Sequence, residues 1–82
     1  MSKRIKLAAA RQKDYGDAER NLRRIGRCWG ATLGTADIPA ETVALMMAQL
    51  KIMRIVDKRK VEDSFDDLGG YSDIARGIID EH

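Results

Sequence analysis

Cysteine and histidine each occur only once in this sequence of 82 residues, as Cys28 and His82. A single cysteine cannot form a disulfide within the chain, which is typical of proteins from a reducing compartment. A single histidine at the end of the chain argues against the Ser-His and Cys-His pairs of nucleophilic enzymes and against a histidine-built metal site. We therefore predict no catalytic residue, no metal ligand and no cofactor.

Long apolar runs and aromatic residues are also scarce. The first residues lack the apolar segment of a secretory signal, so we expect none. The most apolar stretch holds Lys51 and Arg54 well inside it, and the core of a bilayer disfavours such charges. We accordingly expect no membrane partner and a cytoplasmic location.

Charge is abundant but unevenly distributed, although the net charge is only +2. Residues 1–27 contain nine Lys and Arg against three Asp and Glu, whereas residues 28–82 contain six against ten. The basic end can meet a phosphate-bearing ligand or the acidic end of a neighbouring copy, and both readings stay open. With 44% hydrophobic residues the composition is that of a globular protein, so we expect residues 1–82 to form a single helical domain.

Residues 39–57 predict the central helix of the fold. Pro39 suits the first turn, where its missing N–H needs no partner, and Asp37 is predicted as the cap. A helix that is apolar nearly all round must be covered nearly all round, so we expect a homo-oligomer. We assign its apolar residues to two opposite faces, with Leu45, Ile52 and Val56 on one and Met46, Leu50 and Met53 on the other.

The segment before the central helix predicts an amphipathic helix. Apolar residues between residues 18 and 33 recur at spacings of three and four, which is the helical period. Asp17 is predicted as the N-cap and Gly34 as the C-terminal cap. Gly26 and Gly30 are four residues apart and share one face, where another backbone can approach closely.

The segment after the central helix predicts a last helix that starts near Asp63 or Ser64. It contains Gly69-Gly70, which we interpret as a close crossing over the central helix, with a kink as the alternative. Residues 1–13 are interpreted as a basic N-terminal arm or a short helix. Together these segments predict an all-α, compact domain of three to four helices.

Lys51 and Arg54 are the first candidate for a functional site, because they are cations on a helix that otherwise requires burial. A half-buried cation needs an anion close by. Asp63 and Asp67, at the start of the last helix, could supply it in an internal ion-pair network. A phosphate or nucleotide site is the competing interpretation.

The turn at Lys13-Asp14-Tyr15-Gly16-Asp17 is the second candidate. Free N–H groups at a helix start can hold a phosphate, and Tyr15 could stack on a base. The simpler interpretation is a helix-entry turn. A row of arginines follows, at positions 20, 23, 24 and 27. It could track the phosphates of a nucleic acid, but no recognition motif accompanies it, so we expect a solvated or ion-paired face and no nucleic-acid partner.

Clustered acids are the third candidate. Asp63, Asp66 and Asp67, with Asp73 further on, could hold Mg²⁺ through a few oxygens and waters. Acids in the first turn of a helix are equally typical of capping.

These motifs together resemble a small phage and prophage protein family of uncharacterised function. The resemblance rests on the turn at residues 13–17, on Val43-Ala44-Leu45-Met46-Met47 with Lys51 and Arg54, and on Asp63, Asp67 and Gly70-Tyr71. It implies a compact helical protein in the cytoplasm of an infected or lysogenic bacterial host. A weaker similarity connects the chain to nucleotide-modification-associated phage domains and to the all-α MazG-type pyrophosphatases. The Glu-x-x-Glu pair of the latter is missing here.

Motifs and resemblance lead to one functional hypothesis, a phage accessory protein that binds a nucleotide or a nucleotide-derived signal and counteracts host defence. A Mg²⁺-dependent nucleotide pyrophosphohydrolase is the first alternative, and magnesium enters only there. The second is an inhibitor that binds a host protein through the arginine row. The ligand-binding residues we predict are Lys13, Tyr15, Arg24, Lys51, Arg54, Asp63, Asp67 and Tyr71.

Overall fold

Three helices follow one another in the computed structural model, which describes residues 15–82. They are α1 (Tyr15–Leu33), α2 (Ala40–Val56) and α3 (Val61–Glu81), and no strand occurs among these residues. The predicted all-α fold and its central helix are thereby confirmed. The predicted arm or short helix at residues 1–13 lies outside the described residues.

α1 begins at Tyr15, three residues before the predicted start. The expectation that Asp17 caps this helix is wrong, because Asp17 lies inside the first turn and its carboxylate accepts a hydrogen bond from Arg20. The helix dipole stabilises a negative charge anywhere in the first turn, so Asp17 is favourable inside the helix and does not have to be its N-cap. Gly34, with φ +71°, is the predicted C-terminal cap. The N–H of Thr35 donates to the carbonyl of Gly30 at 2.8 Å, which closes the helix end.

The loop between α1 and α2 lies directly on the two glycines of α1. The N–H of Ile38 donates to the carbonyl of Gly26 at 3.1 Å. A Cβ at Gly26 would collide with the Ile38 carbonyl oxygen, and one at Gly30 would lie 2.5 Å from the Ala36 carbonyl oxygen. The close approach predicted for these glycines is therefore present, and the approaching backbone is the chain's own loop.

The start of α2 differs from the prediction in its cap. Pro39, with φ −58°, is the N-cap residue itself, and no side chain caps this end. The prediction that Asp37 is the cap is wrong. Its carboxylate lies 3.8 Å from the guanidinium of Arg27 on α1 instead. Asp37 is two residues before Pro39, which is too far from the first free amides for the usual capping bond.

The core lies mainly between α2 and α3, with α1 packed against α2. Small residues dominate the buried side of α2, which lets the helices approach closely. Gly69 and Gly70 are buried, and α3 continues through both of them, so the pair does not break the helix. The core cluster is formed by Leu22, Ala40, Val43, Ala44, Ile74, Ala75 and Ile78.

The connection between α2 and α3 contains two residues in the left-handed region, Lys58 with φ 58° and Lys60 with φ 45°. α3 starts at Val61, directly after Lys60, and so begins two to three residues before the predicted position. Ser64, one of the predicted start residues, is buried one turn inside. Its hydroxyl donates to the carbonyl of Arg59 at 3.3 Å.

The outer side of α2 is apolar and exposed. Its six large apolar residues are 38–62% exposed, whereas the other side of the helix is buried. The prediction of two opposite apolar faces is wrong, because at about 100° per residue all six fall within one arc of about 160°. We call this surface the apolar face of α2, and its members are Leu45, Met46, Leu50, Ile52, Met53 and Val56.

Candidate functional site

An ion pair connects α2 to α3 at the edge of the core. The ammonium of Lys51 lies 3.2 Å from a carboxylate oxygen of Asp67. The Lys51 side chain is only 18% exposed and that of Asp67 is 41% exposed, so the pair is open to solvent on the α3 side. This contact is one part of the predicted network between the cations of α2 and the acids of α3.

Arg54 lies almost one turn further along α2 and is half-buried. It makes no ion pair with any carboxylate in the part of the chain from residue 15 to residue 82. Asp63, the other acid predicted to pair with these cations, is exposed and has no ion-pair partner within the same residues. Of the predicted four-residue network, only the contact between Lys51 and Asp67 forms. The half-buried cations therefore outnumber the acid that faces them.

A groove of about 200 Å³ lies beside this ion pair, where the three helices meet. Met47 of α2 lines it, four residues before Lys51, and Tyr71 of α3 lines it, four residues after Asp67. Four residues of helix correspond to about 6 Å along the axis, so the groove and the ion pair are neighbours on both helices. The groove is mostly apolar, and its residues are Ala18, Asn21, Leu22, Ile25, Met47, Tyr71 and Ile74.

The predicted ligand residues of the N-terminal part do not all join this site. Arg24 is exposed, and at about 200° from the buried Leu22 it is on the outer side of α1, away from Lys51 and Arg54. Lys13 lies outside the described residues. Tyr15 begins α1, but its side chain is not among the described ones. Of the eight predicted residues, the structure brings Lys51, Arg54, Asp67 and Tyr71 into one region.

The other arginines of α1 make ion pairs on the exposed surface. Arg20 pairs with Asp17, and Arg23 pairs with Glu19 at 2.5 Å. With Arg27 beside Asp37, three of the four arginines have an acid next to them. This agrees with the expected ion-paired face.

The ligand atoms of the α3 acids do not converge on one another in the described part of the chain. Asp63, Asp66 and Asp67 are absent from the one group there whose ligand atoms converge. That group is Glu19, Glu81 and His82, with ligand atoms within 4.8 Å of one another. No local sequence pattern predicts this group, because Glu19 and His82 are 63 residues apart. Glu19 also accepts a hydrogen bond from Arg23, so part of its charge is already compensated.

A helix that crosses a bilayer needs about 20 predominantly apolar residues. None of the three described helices is both long enough and apolar enough to do so.

Comparison with known proteins places the chain among phage proteins. It is 39% identical over 64 residues to the Gene 55 protein of Mycobacterium phage L5. The aligned part is 78% of this chain and 41% of that protein, so the chain spans less than half the length of its relative. No solved structure matches it. Residues 3–79 match the family described as a domain of unknown function, DUF6378, and the chain therefore belongs to this family, which confirms the predicted phage family of uncharacterised function.

Proposed function

We propose that this phage-associated protein binds a phosphate-bearing small molecule, a nucleotide or a nucleotide-derived signal, between α2 and α3. The observation that carries the proposal is the excess of half-buried positive charge at Lys51 and Arg54. The carboxylate of Asp67 faces Lys51 at 3.2 Å, and no described acid faces Arg54. A cation withdrawn from water is stabilised by a nearby anion, and a phosphate group supplies one.

The groove beside the ion pair provides room for the rest of such a ligand. Its volume of about 200 Å³ is below the roughly 300–1,000 Å³ of typical ligand pockets, so it suits a single ring rather than a whole nucleotide. Met47 and Tyr71 offer apolar and aromatic surface to a base, and Asn21 offers hydrogen-bond donors and acceptors. A base in the groove would place its phosphate about one to two helical turns away, at Lys51 and Arg54.

The competing functions have less support from the same residues. A Mg²⁺-dependent pyrophosphohydrolase needs acids that converge on the metal, and Asp63, Asp66 and Asp67 do not form such a group within residues 15–82. An inhibitor that binds through the arginine row would use side chains that are mostly paired with acids of this chain already. Binding without turnover is therefore the function we favour. In a phage it would serve nucleotide metabolism or the sequestration of a host defence signal.

Thermal unfolding in the presence of nucleotides tests this proposal. The ligands are nucleoside mono-, di- and triphosphates, cyclic dinucleotides and cyclic trinucleotides, with inorganic phosphate for comparison. A ligand at a hundred times its Kd stabilises the folded state by about 2.7 kcal/mol, which gives a clear rise in Tm. The rise should disappear in Arg54→Ala and in Lys51→Met. Arg76→Ala is the control, because Arg76 is exposed on α3 and its ion pair within residues 15–82 is with Asp80, at 3.6 Å.

The ligand-free variants separate the two roles of the cations. If they bind phosphate, Arg54→Ala should leave the ligand-free Tm nearly unchanged. Lys51→Met leaves Asp67 without its partner, but Asp67 is 41% exposed, so the cost should stay below about 1 kcal/mol. A wild type that shifts with none of these ligands, together with large losses of Tm in both variants, would leave Lys51 and Arg54 as structural residues only.

A further inference from the structure

Among residues 15–82, six of the ten exposed large apolar side chains lie on the apolar face of α2. Its six residues are 38–62% exposed, on a helix whose other side forms the core. Together their exposed fractions amount to about three whole aliphatic residues. We take roughly 150 Å² for each of these three residue equivalents, which is the lower limit for an aromatic residue. The face then exposes roughly 450 Å² of apolar surface. A stable interface buries about 800 Å² on each partner, so this face would supply about half of one.

We propose that a second copy of this chain covers the apolar face of α2, with the two α2 helices packed antiparallel around a twofold axis. The charge pattern favours a second copy over a different protein. Between Thr42 and Val56, the only polar residues within this arc are Thr42 and Gln49, and both are uncharged. A twofold axis brings each central residue against its own copy, so a neutral face can pair with itself without repulsion between like charges. Lys51 and Arg54 are on the other side of the helix, about 120–180° from the centre of the face.

A groove at one end of the face extends the contact. It has a volume of about 280 Å³ and is lined by Trp29, Thr32, Leu33 and Met46. Leu33 is 66% exposed. In an antiparallel pair with the axis near Gln49, the C-terminal end of the other copy's α2 lies against this groove. The groove adds apolar surface to the interface and brings it closer to the area that a stable dimer requires.

The first 14 residues of the same chain are the other segment that could cover this face. They contain six charged residues and only three large apolar ones, Met1, Ile5 and Leu7. Three large apolar side chains are too few to replace six exposed ones, which favours the second copy.

Light scattering with size-exclusion chromatography of the full chain tests the dimer. We expect the wild type to have twice the mass of the 9.2 kDa chain at about 100 μM. Met53→Glu places a charge in the interface and should give a monomer, because a buried unpaired charge is strongly unfavourable. Ile79→Glu is the matched control, since Ile79 on α3 is 56% exposed and Met53 is 55% exposed, and it should stay dimeric. A monomeric wild type, a dimeric Met53→Glu, or equal dissociation of both variants would overturn the proposal.

A second pair of variants tests the position of the twofold axis without replacing an apolar residue. Gln49 is already polar and exposed, so Gln49→Lys leaves the folding of each chain intact. In the proposed dimer it brings two like charges together near the axis and should raise the dimer Kd at least about tenfold, and less so at high salt. Ser72→Lys, at an exposed position on α3, is the control and should leave the Kd unchanged. A Kd that does not respond to Gln49→Lys, or that responds equally to Ser72→Lys, contradicts α2-to-α2 packing.

Discussion

Replacing Gly26 by alanine should destabilise the protein, although alanine is the better helix former. A Cβ at this position would collide with the carbonyl oxygen of Ile38 and lie 3.1 Å from a methyl carbon of Val43. The loop would have to move away from α1 and lose the hydrogen bond from the Ile38 N–H to the Gly26 carbonyl. Overpacking costs about 1–3 kcal/mol and the lost bond about 1 kcal/mol, whereas the gain in helix propensity is about 0.5–1 kcal/mol. We expect a net loss of about 1–3 kcal/mol.

Gly16 provides the matched control for this substitution. It lies in the same helix and is exposed, and among residues 15–82 a Cβ there would meet the end of the Arg20 side chain, at 3.8 Å. Gly16→Ala should therefore raise the stability by roughly 0.5–1 kcal/mol. Urea unfolding followed by far-UV circular dichroism measures both changes, against a total of about 4–12 kcal/mol for a domain of this size. If Gly26→Ala were as stable as Gly16→Ala, the loop would not rest on α1 as described.

Two further predictions concern the backbone and the buried hydroxyl. Gly34→Ala should cost about 1–2 kcal/mol because alanine is strained at φ +71°, although no atom of residues 15–82 lies within 4 Å of the added Cβ. Lys58→Gly should gain about 1 kcal/mol, because glycine relieves the strain of a lysine at φ 58°. Opposite shifts of the urea midpoint are the expected result, and shifts of the same sign would contradict the assigned backbone angles. Ser64→Ala should cost about 0.5–1.5 kcal/mol in the same assay, because the buried hydroxyl donates to the Arg59 carbonyl, and an unchanged midpoint would contradict that bond.

The helices could be predicted from the sequence because their signals are local. The apolar spacing in α1, the glycine at its C-terminal end and the pair Gly26 and Gly30 each determine structure within a few residues. The expectation that a backbone approaches those glycines needed only their position on one face. The backbone that approaches Gly26 and Gly30 belongs to the loop at residues 34–39, which is close to both glycines in the sequence.

The helix starts were less predictable because several nearby residues compete for the same role. Asp17 and Asp37 both have side chains suited to capping, yet each contacts an arginine instead. The choice depends on backbone angles that the residue type alone does not determine. Lys60 is the clearest example, because a lysine in the left-handed region before a helix has no sequence signal of its own.

Contacts between helices could be predicted only in part. The contact of Lys51 with Asp67 was foreseen because a half-buried cation requires an acid nearby and α3 offers two. The meeting of Glu19 with Glu81 and His82 was not, because it depends on how α1 lies relative to the end of α3. The prediction of two apolar faces on α2 was also wrong. Which side of α2 stays exposed depends on where α1 and α3 pack around it.

The composition of α2 follows from the two surfaces it presents. Its inner side packs on α1 and α3 and carries Lys51 and Arg54 at the edge of the core, and its outer side is neutral and apolar. A second copy on the outer side would leave both cations accessible, so ligand binding and dimerisation can occur together without sharing a residue. The two proposals can therefore fail separately. Met53→Glu should dissociate the dimer and keep the response to ligand, whereas Arg54→Ala should keep the dimer and lose that response. A variant that loses both would indicate that the two surfaces are coupled, and their closest approach is between Leu50 and Arg54, which lie about 40° apart around the helix.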